Sequence, residues 1–337
     1  MRGSGFNGAE QSGSRRGRSP DVGVNEVEPT KSTSFMRTLE LARLFAKRDR
    51  TVILVEGEPG TGKTRLARRI HLNSPQRDQT FHRVDLGTLD DPLTSSDLFG
   101  HLSGSFSGAT SKRHGHFASA DRGTLFLDEI GKASLAIQRR LLHAIEYGEF
   151  TAVGADRAIR VDVRLVAATN VDLATLVTGG AFLPDLQARL GFFRIVIPPL
   201  RERRADIPTL VNMTLESRCE MFGYRRHSPP LMAENLLQAI VDAPWPGNVR
   251  ELVNAVDFLM VMADEAPVIT FAHCDGMLQA LRSNQTGAER AFDAVKALGS
   301  VSAAARKLGV ARTTVYRHLA NVAAEPASTM TGSRELL

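Results

Sequence analysis

The chain has 337 residues, 42% of them hydrophobic, enough to bury a real core and to make about two domains of ordinary size. No apolar run approaches the ~20 residues that a membrane helix needs, and no apolar signal core stands at the start, so the expectation is a cytoplasmic protein with no membrane partner. The net charge of +5 is modest for the length, and Cys219 and Cys274, far apart and without ligand spacing, read as small buried hydrophobes in a reducing compartment.

Residues 1–33 are rich in Gly, Ser and Arg and read as a disordered basic tail. Arg15, Arg16 and Arg18 could touch nucleic acid, but such runs are usually solvated. From 35 to 48, Met36, Leu39, Leu41, Leu44 and Phe45 recur at helical spacing. An apolar strand, 51–55, then leads into Gly57, Glu58, Pro59, Gly60, Thr61, Gly62, Lys63 and Thr64, and a helical pattern follows. Strand, glycine loop and helix form the context that a phosphate-binding P-loop requires. Its backbone N–H groups and the helix N-terminus favour a phosphate chain. Lys63 is placed to reach the β- and γ-phosphates of ATP, and the Thr64 hydroxyl to hold Mg²⁺.

A second strand is expected at 81–86. Beyond it, Gly104, Ser105, Phe106, Ser107, Gly108 and Ala109 set one bare aromatic among small residues. An exposed Phe106 is costly unless something binds it, or unless the hairpin folds it back onto the body. The strand at 123–130 ends in Asp128 and Glu129, the Walker B pattern. Asp128 would help hold Mg²⁺, and Glu129 would orient or deprotonate a water. Either acid alone could instead serve a helix N-terminus. The next buried strand, 161–170, ends in Asn170, which can position a water or simply form a turn. Strands alternating with helices imply an α/β fold with a doubly wound parallel sheet, its site at the C-terminal strand edge.

From Asp206 the pattern turns helical: one helix opens at Ile207, a second spans 230–241, and a third runs from near Trp245 to about Ala263. This predicts a helical lid over 206–277 beside the α/β part, 34–205. A polar linker, 278–288, follows. The segment 289–322 then reads as a helix-turn-helix, with helices at 303–308 and 311–319 around Gly309. Between Lys296 and Arg317 there are five Lys or Arg and no acid, which favours double-stranded DNA over an ordinary helical hairpin. Arg306, Lys307, Arg312, Thr313, Thr314, Tyr316 and Arg317 are the candidate contacts. Residues 323–337 read as a disordered tail.

Together these motifs resemble the sigma-54-dependent transcription activators, which are AAA+ ATPases, over about residues 35–320. The most specific mark is the segment from Gly104 to Ala109, whose usual form in that family is G-A-F-T-G-A and which there contacts sigma-54. Further matches are 97–101, 123–130, 167–170, 198–203 and 245–252. The resemblance implies that Asn170 is a first nucleotide sensor and Arg250 a second. It makes Arg189 an arginine finger reaching a neighbour's γ-phosphate, hence a ring, usually a hexamer, acting on sigma-54 RNA polymerase. The C-terminal module resembles the Fis-type helix-turn-helix.

Four residues depart from the family pattern. Ser105 and Ser107 replace Ala and Thr in the loop, Leu183 stands where many members carry a further Arg, and Asp85 stands where members often carry Asn. An Asp facing Glu129 would repel it or share a proton. The roughly 34 residues ahead of the ATPase are too few for a receiver or ligand-sensing domain, and the resemblance to short members of the family implies control by separate proteins or by expression level. Competing readings are a regulator of the housekeeping polymerase with weak ATPase, a replication or remodelling ATPase, and a co-activator that works only in a mixed ring with a paralogue.

Overall fold

The sheet is built from apolar runs too continuous for a half-solvated strand. The strand β3 (Thr124–Asp128) is buried at all five positions and β6 (Arg164–Thr169) at all six, as strands covered on both faces must be. With β1 (Ile53–Glu56), β2 (Phe81–Asp85) and β7 (Phe193–Val196) they form a five-stranded parallel sheet in the order β2-β3-β6-β1-β7. The computed structural model describes residues 30–48, 51–87, 91–105, 109–222, 229–264, 266–274, 295, 300–308 and 312–315.

Strand periodicity sorts the side chains between two cores. Ile53, Val55, Phe126, Val166 and Ile195 face one side, under the helices α1 (Thr33–Ala46) and α2 (Lys63–Leu72). Leu54, Leu125, Leu127, Leu165 and Ala167 face the other, with α3 (Asp91–Phe99), α4 (His116–Ser119), α5 (Leu135–Tyr147), α6 (Leu173–Thr178) and α7 (Pro184–Leu190). This is the doubly wound arrangement expected from the sequence. A hairpin of β4 (Glu149–Thr151) and β5 (Ala158–Arg160) lies outside the main sheet.

The segment after β7 packs a separate helical core from α8 (Ile207–Phe222), α9 (Glu234–Asp242) and α10 (Asn248–Ala263), centred on Leu236, Ile240, Trp245, Val256 and Leu259. Two boundaries differ from expectation. The second lid helix starts at Glu234 rather than Pro230, because β8 (Leu231–Met232) pairs in parallel with β9 (Val268–Ile269). The third starts at Asn248, because Trp245 sits at a φ of 47°, fully buried, its indole N–H donating to the Ile240 carbonyl at 2.7 Å.

In the C-terminal module, α11 (Val301–Leu308) and the helical residues 312–315 are described. Ala305 and Val315 are buried together, with Val295 and Val301 against them. Arg306, Arg312 and Thr313 are exposed. The expected N-terminal tail, 1–33, overshoots by four residues: Thr30 Oγ1 donates to Asp206 Oδ2 at 2.8 Å, the Lys31 N–H donates to Asp206 Oδ1 at 2.6 Å, and Ser32 caps α1, which begins at Thr33. The rest of that tail, the tail 323–337, the linker 278–288, the turn at Gly309, and Tyr316 and Arg317 lie outside the described residues, as do Phe106, Ser107 and Gly108 of the loop.

Candidate active site

The P-loop joins the end of β1 to α2, whose N-terminus is Lys63. Gly60 and Gly62 take φ values of 78° and 104°, which a side chain rarely adopts. A Cβ on Gly60 would also fall 2.1 Å from the Gly247 carbonyl of the lid, so this glycine is where loop and lid touch. Lys63 is buried and curls over the loop, its ammonium donating to the Gly57 carbonyl at 2.9 Å and the Glu58 carbonyl at 3.4 Å. Burial pushes its pKa down, and the charges of Glu129 and Asp128 oppose that shift.

The C-terminal ends of β3 and β6 bring the acids and the amide to this loop. Thr64 Oγ1 donates to Asp128 Oδ2 at 3.3 Å, and Lys63 Nζ stands 3.9 Å from Glu129 Oε1. Glu129 is held at a φ of 56°, a sparsely populated conformation of the kind that collects at functional sites. Its Oε2 is buried without a hydrogen-bond partner, and so is Asn170 Oδ1. Two acceptors shielded in the protein with nothing to accept are costly in isolation and suit donors brought by a ligand. Asp85 is the register partner of Asp128 and accepts the Gly87 N–H at 2.9 Å.

Several contacts escaped the sequence reading because they join residues more than forty positions apart. Arg201 grips Glu58 with both guanidinium nitrogens, at 2.7 and 2.8 Å. Asn248, fully buried at a φ of 55°, donates to Glu58 Oε2 at 3.1 Å and to the Pro59 carbonyl at 3.0 Å. The same amide accepts the Leu200 N–H at 2.7 Å. Arg203 donates to the Thr61 carbonyl at 2.9 Å while stacked on Phe35. Arg83 of β2 donates to Asp128 Oδ2 at 2.9 Å. A cavity beside Thr61 and Gly62 is lined by Phe35, Leu39, Ile197 and Leu210.

The expected second sensor, Arg250, lies beside this cluster, close enough for its charge to act on Lys63, whereas the expected arginine finger, Arg189, stands apart from it. Arg250 is exposed at the start of α10, with its backbone N–H directed to the Gly60 carbonyl at 3.4 Å. Arg189, at the end of α7, pairs with Glu146 of α5 at 3.0 Å and is 60% exposed. Leu183 packs against the core, its N–H donating to Gln138 Oε1 at 2.7 Å. At the sequence-marked loop, the Gly104 N–H donates to the Ala109 carbonyl at 2.7 Å, joining the two ends of the segment. Ser105 packs on Gly154 beside the β4–β5 hairpin.

The chain matches the sigma-54 interaction domain over residues 29–196 and the AAA+ ATPase lid domain over 201–291. It is 42% identical over 235 residues to the Nif-specific regulatory protein of Azotobacter vinelandii, covering 70% of this chain and 44% of that protein. It is 37% identical over 309 residues to the transcriptional regulatory protein GlrR of Escherichia coli (strain K12), covering 87% of this chain and 67% of GlrR. It thus spans less than half the length of the Nif-specific relatives. In fold it is similar to NtrX of Brucella abortus, solved in complex with ATP, with a TM-score of 0.68 and 24% identity over 87% of this chain and 69% of NtrX. Two successive matched domains and a relative covered over two thirds of its length show that the chain belongs to the sigma-54-dependent transcription activators.

Proposed function

We propose that this chain hydrolyses ATP in an oligomeric ring and uses the cycle to remodel sigma-54 RNA polymerase at a promoter, anchored to upstream DNA by its helix-turn-helix. The observation that carries the reading is the convergence of Lys63, Thr64, Asp128 and Glu129 on one spot, with the orphaned acceptors of Glu129 and Asn170 beside it. The apolar cavity next to Thr61 has the chemistry for the nucleoside, and the P-loop amides for the phosphates. Thr64 and Asp128 present two hard oxygen donors that meet at 3.3 Å, the donor type that Mg²⁺ selects. When bound there, Mg²⁺ would neutralise charge on the phosphate oxygens. Lys63 would exchange its bonds to the Gly57 and Glu58 carbonyls for phosphate oxygens. Glu129 Oε2 would accept a proton of the attacking water, with Asn170 holding that water in line.

Arg189 is the candidate for a charge supplied to a neighbouring subunit, since its own chain turns it towards Glu146 rather than Lys63. The loop around Phe106 is the proposed contact with sigma-54, and its base is tied to the β4–β5 hairpin through Gly154. Arg306, Lys307, Arg312, Thr313 and Thr314, with Tyr316 and Arg317 beyond the described residues, are the proposed DNA contacts. Among the described residues no helix is long and apolar enough to cross a membrane.

The test is open-complex formation on a sigma-54 promoter by the purified full chain, with ATP against a non-hydrolysable analogue. Melting with ATP alone is the expected result, lost in Phe106→Ala while ATP turnover persists. Melting by Phe106→Ala overturns the loop assignment, and intact turnover without melting overturns the target. A second reading, a mixed ring with a paralogue, draws on Leu183, which is packed into the core and offers no guanidinium at that position. No hydrolysis by the chain alone, restored by adding a co-purifying paralogue, would favour it.

A further inference from the structure

The contact that the P-loop chemistry does not require is the one from Arg83. This arginine stands on β2, one strand outside β3, and its guanidinium donates to Asp128 Oδ2 at 2.9 Å. The Thr64 hydroxyl donates to that same oxygen at 3.3 Å. Among the described residues, both hydrogen bonds to the Asp128 carboxylate therefore fall on the oxygen that faces Thr64, where a divalent ion shared by these two residues would need it. The Asp128 side chain is 9% exposed and that of Arg83 49%. A shielded carboxylate is thus already neutralised by a cation that can leave for water.

Sheet pairing does not depend on this contact. The β2–β3 ladder runs through five residue pairs, Arg83 opposite Phe126 and Asp85 opposite Asp128, whatever the guanidinium does. A guanidinium keeps its charge at any working pH, so it cannot step aside by losing a proton. It can step aside only by rotating outwards, which its half-exposed position allows.

We propose that Arg83 is a resident counter-cation of Asp128 that the metal ion must displace, so that it sets how much Mg²⁺ the site needs. The proposal rests on the reading of the site as one for ATP with Mg²⁺. While Arg83 holds Oδ2, the metal-competent form is a minority, and apparent metal affinity falls by that fraction. The same pairing masks Asp128 from the nucleotide's phosphates, which a bare carboxylate would repel. Arg83 therefore has two effects of opposite sign: it weakens the metal's grip and strengthens nucleotide binding when no metal is present. A residue that merely held β2 in place would not separate them.

The experiment measures binding of a fluorescent ATP analogue to the full 337-residue chain, first in chelator and then across a Mg²⁺ titration. It compares the parent with Arg83→Met, which keeps the stem, and Arg83→Lys, which keeps the charge. In Arg83→Met, half-saturating Mg²⁺ should fall about tenfold and metal-free binding should weaken severalfold. Arg83→Lys should lie between it and the parent. An unchanged or raised Mg²⁺ requirement in Arg83→Met, with nucleotide still bound, overturns the proposal and leaves the ATP reading intact. If Arg83→Met does not fold, a parent-like Mg²⁺ midpoint with weakened metal-free binding in Arg83→Lys overturns it equally. A parent chain that binds no nucleotide with or without Mg²⁺ overturns the ATP reading, and this proposal with it.

Discussion

At the scale of single residues, Glu129 carries the clearest expectation. Its backbone is held at a φ of 56°, and its Oε2 is buried with no partner, so the fold maintains an unfavourable arrangement that only a water or ligand would relieve. Glu129→Gln keeps size and burial but removes the base. It should bind the ATP analogue as the parent does and lose hydrolysis by roughly 10²- to 10⁴-fold, the usual contribution of a positioned base. Loss of binding together with turnover would assign Glu129 to holding the loop, not to chemistry. Glu129 could be found in the sequence because its chemistry demands an acid next to Asp128 at the end of an apolar strand. Arg83, Arg201, Arg203 and Asn248 could not be assigned contacts in the same way. Their partners lie 45, 143, 142 and 190 positions away, and neither periodicity nor a short motif reports such a pairing.

At the scale of elements, the clasp between P-loop and lid decides how the two halves meet. Glu58 projects from the loop between Arg201 and Asn248. Its carboxyl is held below its ordinary value of 4.5, chiefly by the Arg201 hydrogen bonds, with partial burial opposing and Asn248 adding to the lowering. A depressed carboxyl pKa means that the folded state favours the ionised form. The stabilisation is therefore complete above the unfolded value and is lost as pH falls from about 4.5 through the lower folded value. Glu58→Gln should melt at a lower temperature than the parent at neutral pH, and the gap should narrow as the pH is taken below 4.5. A gap that stays constant or widens on acidification would show that the ion pair is not what the glutamine removes. The same scale explains which elements the sequence revealed. The strands β3 and β6 announce themselves as unbroken apolar runs, whereas β5 is exposed at all three positions and has no apolar face to betray it. The β8–β9 pair is only two residues long on each side, too short for any alternation to register, so Leu231 and Met232 read as the start of a helix.

At the scale of the whole molecule, Arg189 bears on whether one chain contains a complete site. Within the chain it is tied to Glu146 at 3.0 Å and is 60% exposed, while Lys63, Thr64, Asp128 and Glu129 gather elsewhere. If a neighbour's nucleotide takes Arg189 from Glu146, each active site is divided between two chains, and two differently damaged chains can repair each other. Arg189→Ala retains its own P-loop and lacks the arginine. Lys63→Ala lacks the P-loop cation and retains the arginine. Each alone should bring ATP turnover close to zero. Mixed in equal amounts, roughly a quarter of the head-to-tail interfaces would join an intact P-loop to an intact Arg189, so turnover should recover to about that fraction of the parent's. Recovery should disappear on dilution below the concentration at which the ring assembles, which separates exchange between chains from slow activity of either variant. If the mixture stays as inactive as its components while both variants still assemble with the parent, the arginine acts within its own chain. The Glu146 pair would then be a fixed part of the α5–α7 packing and not a resting position.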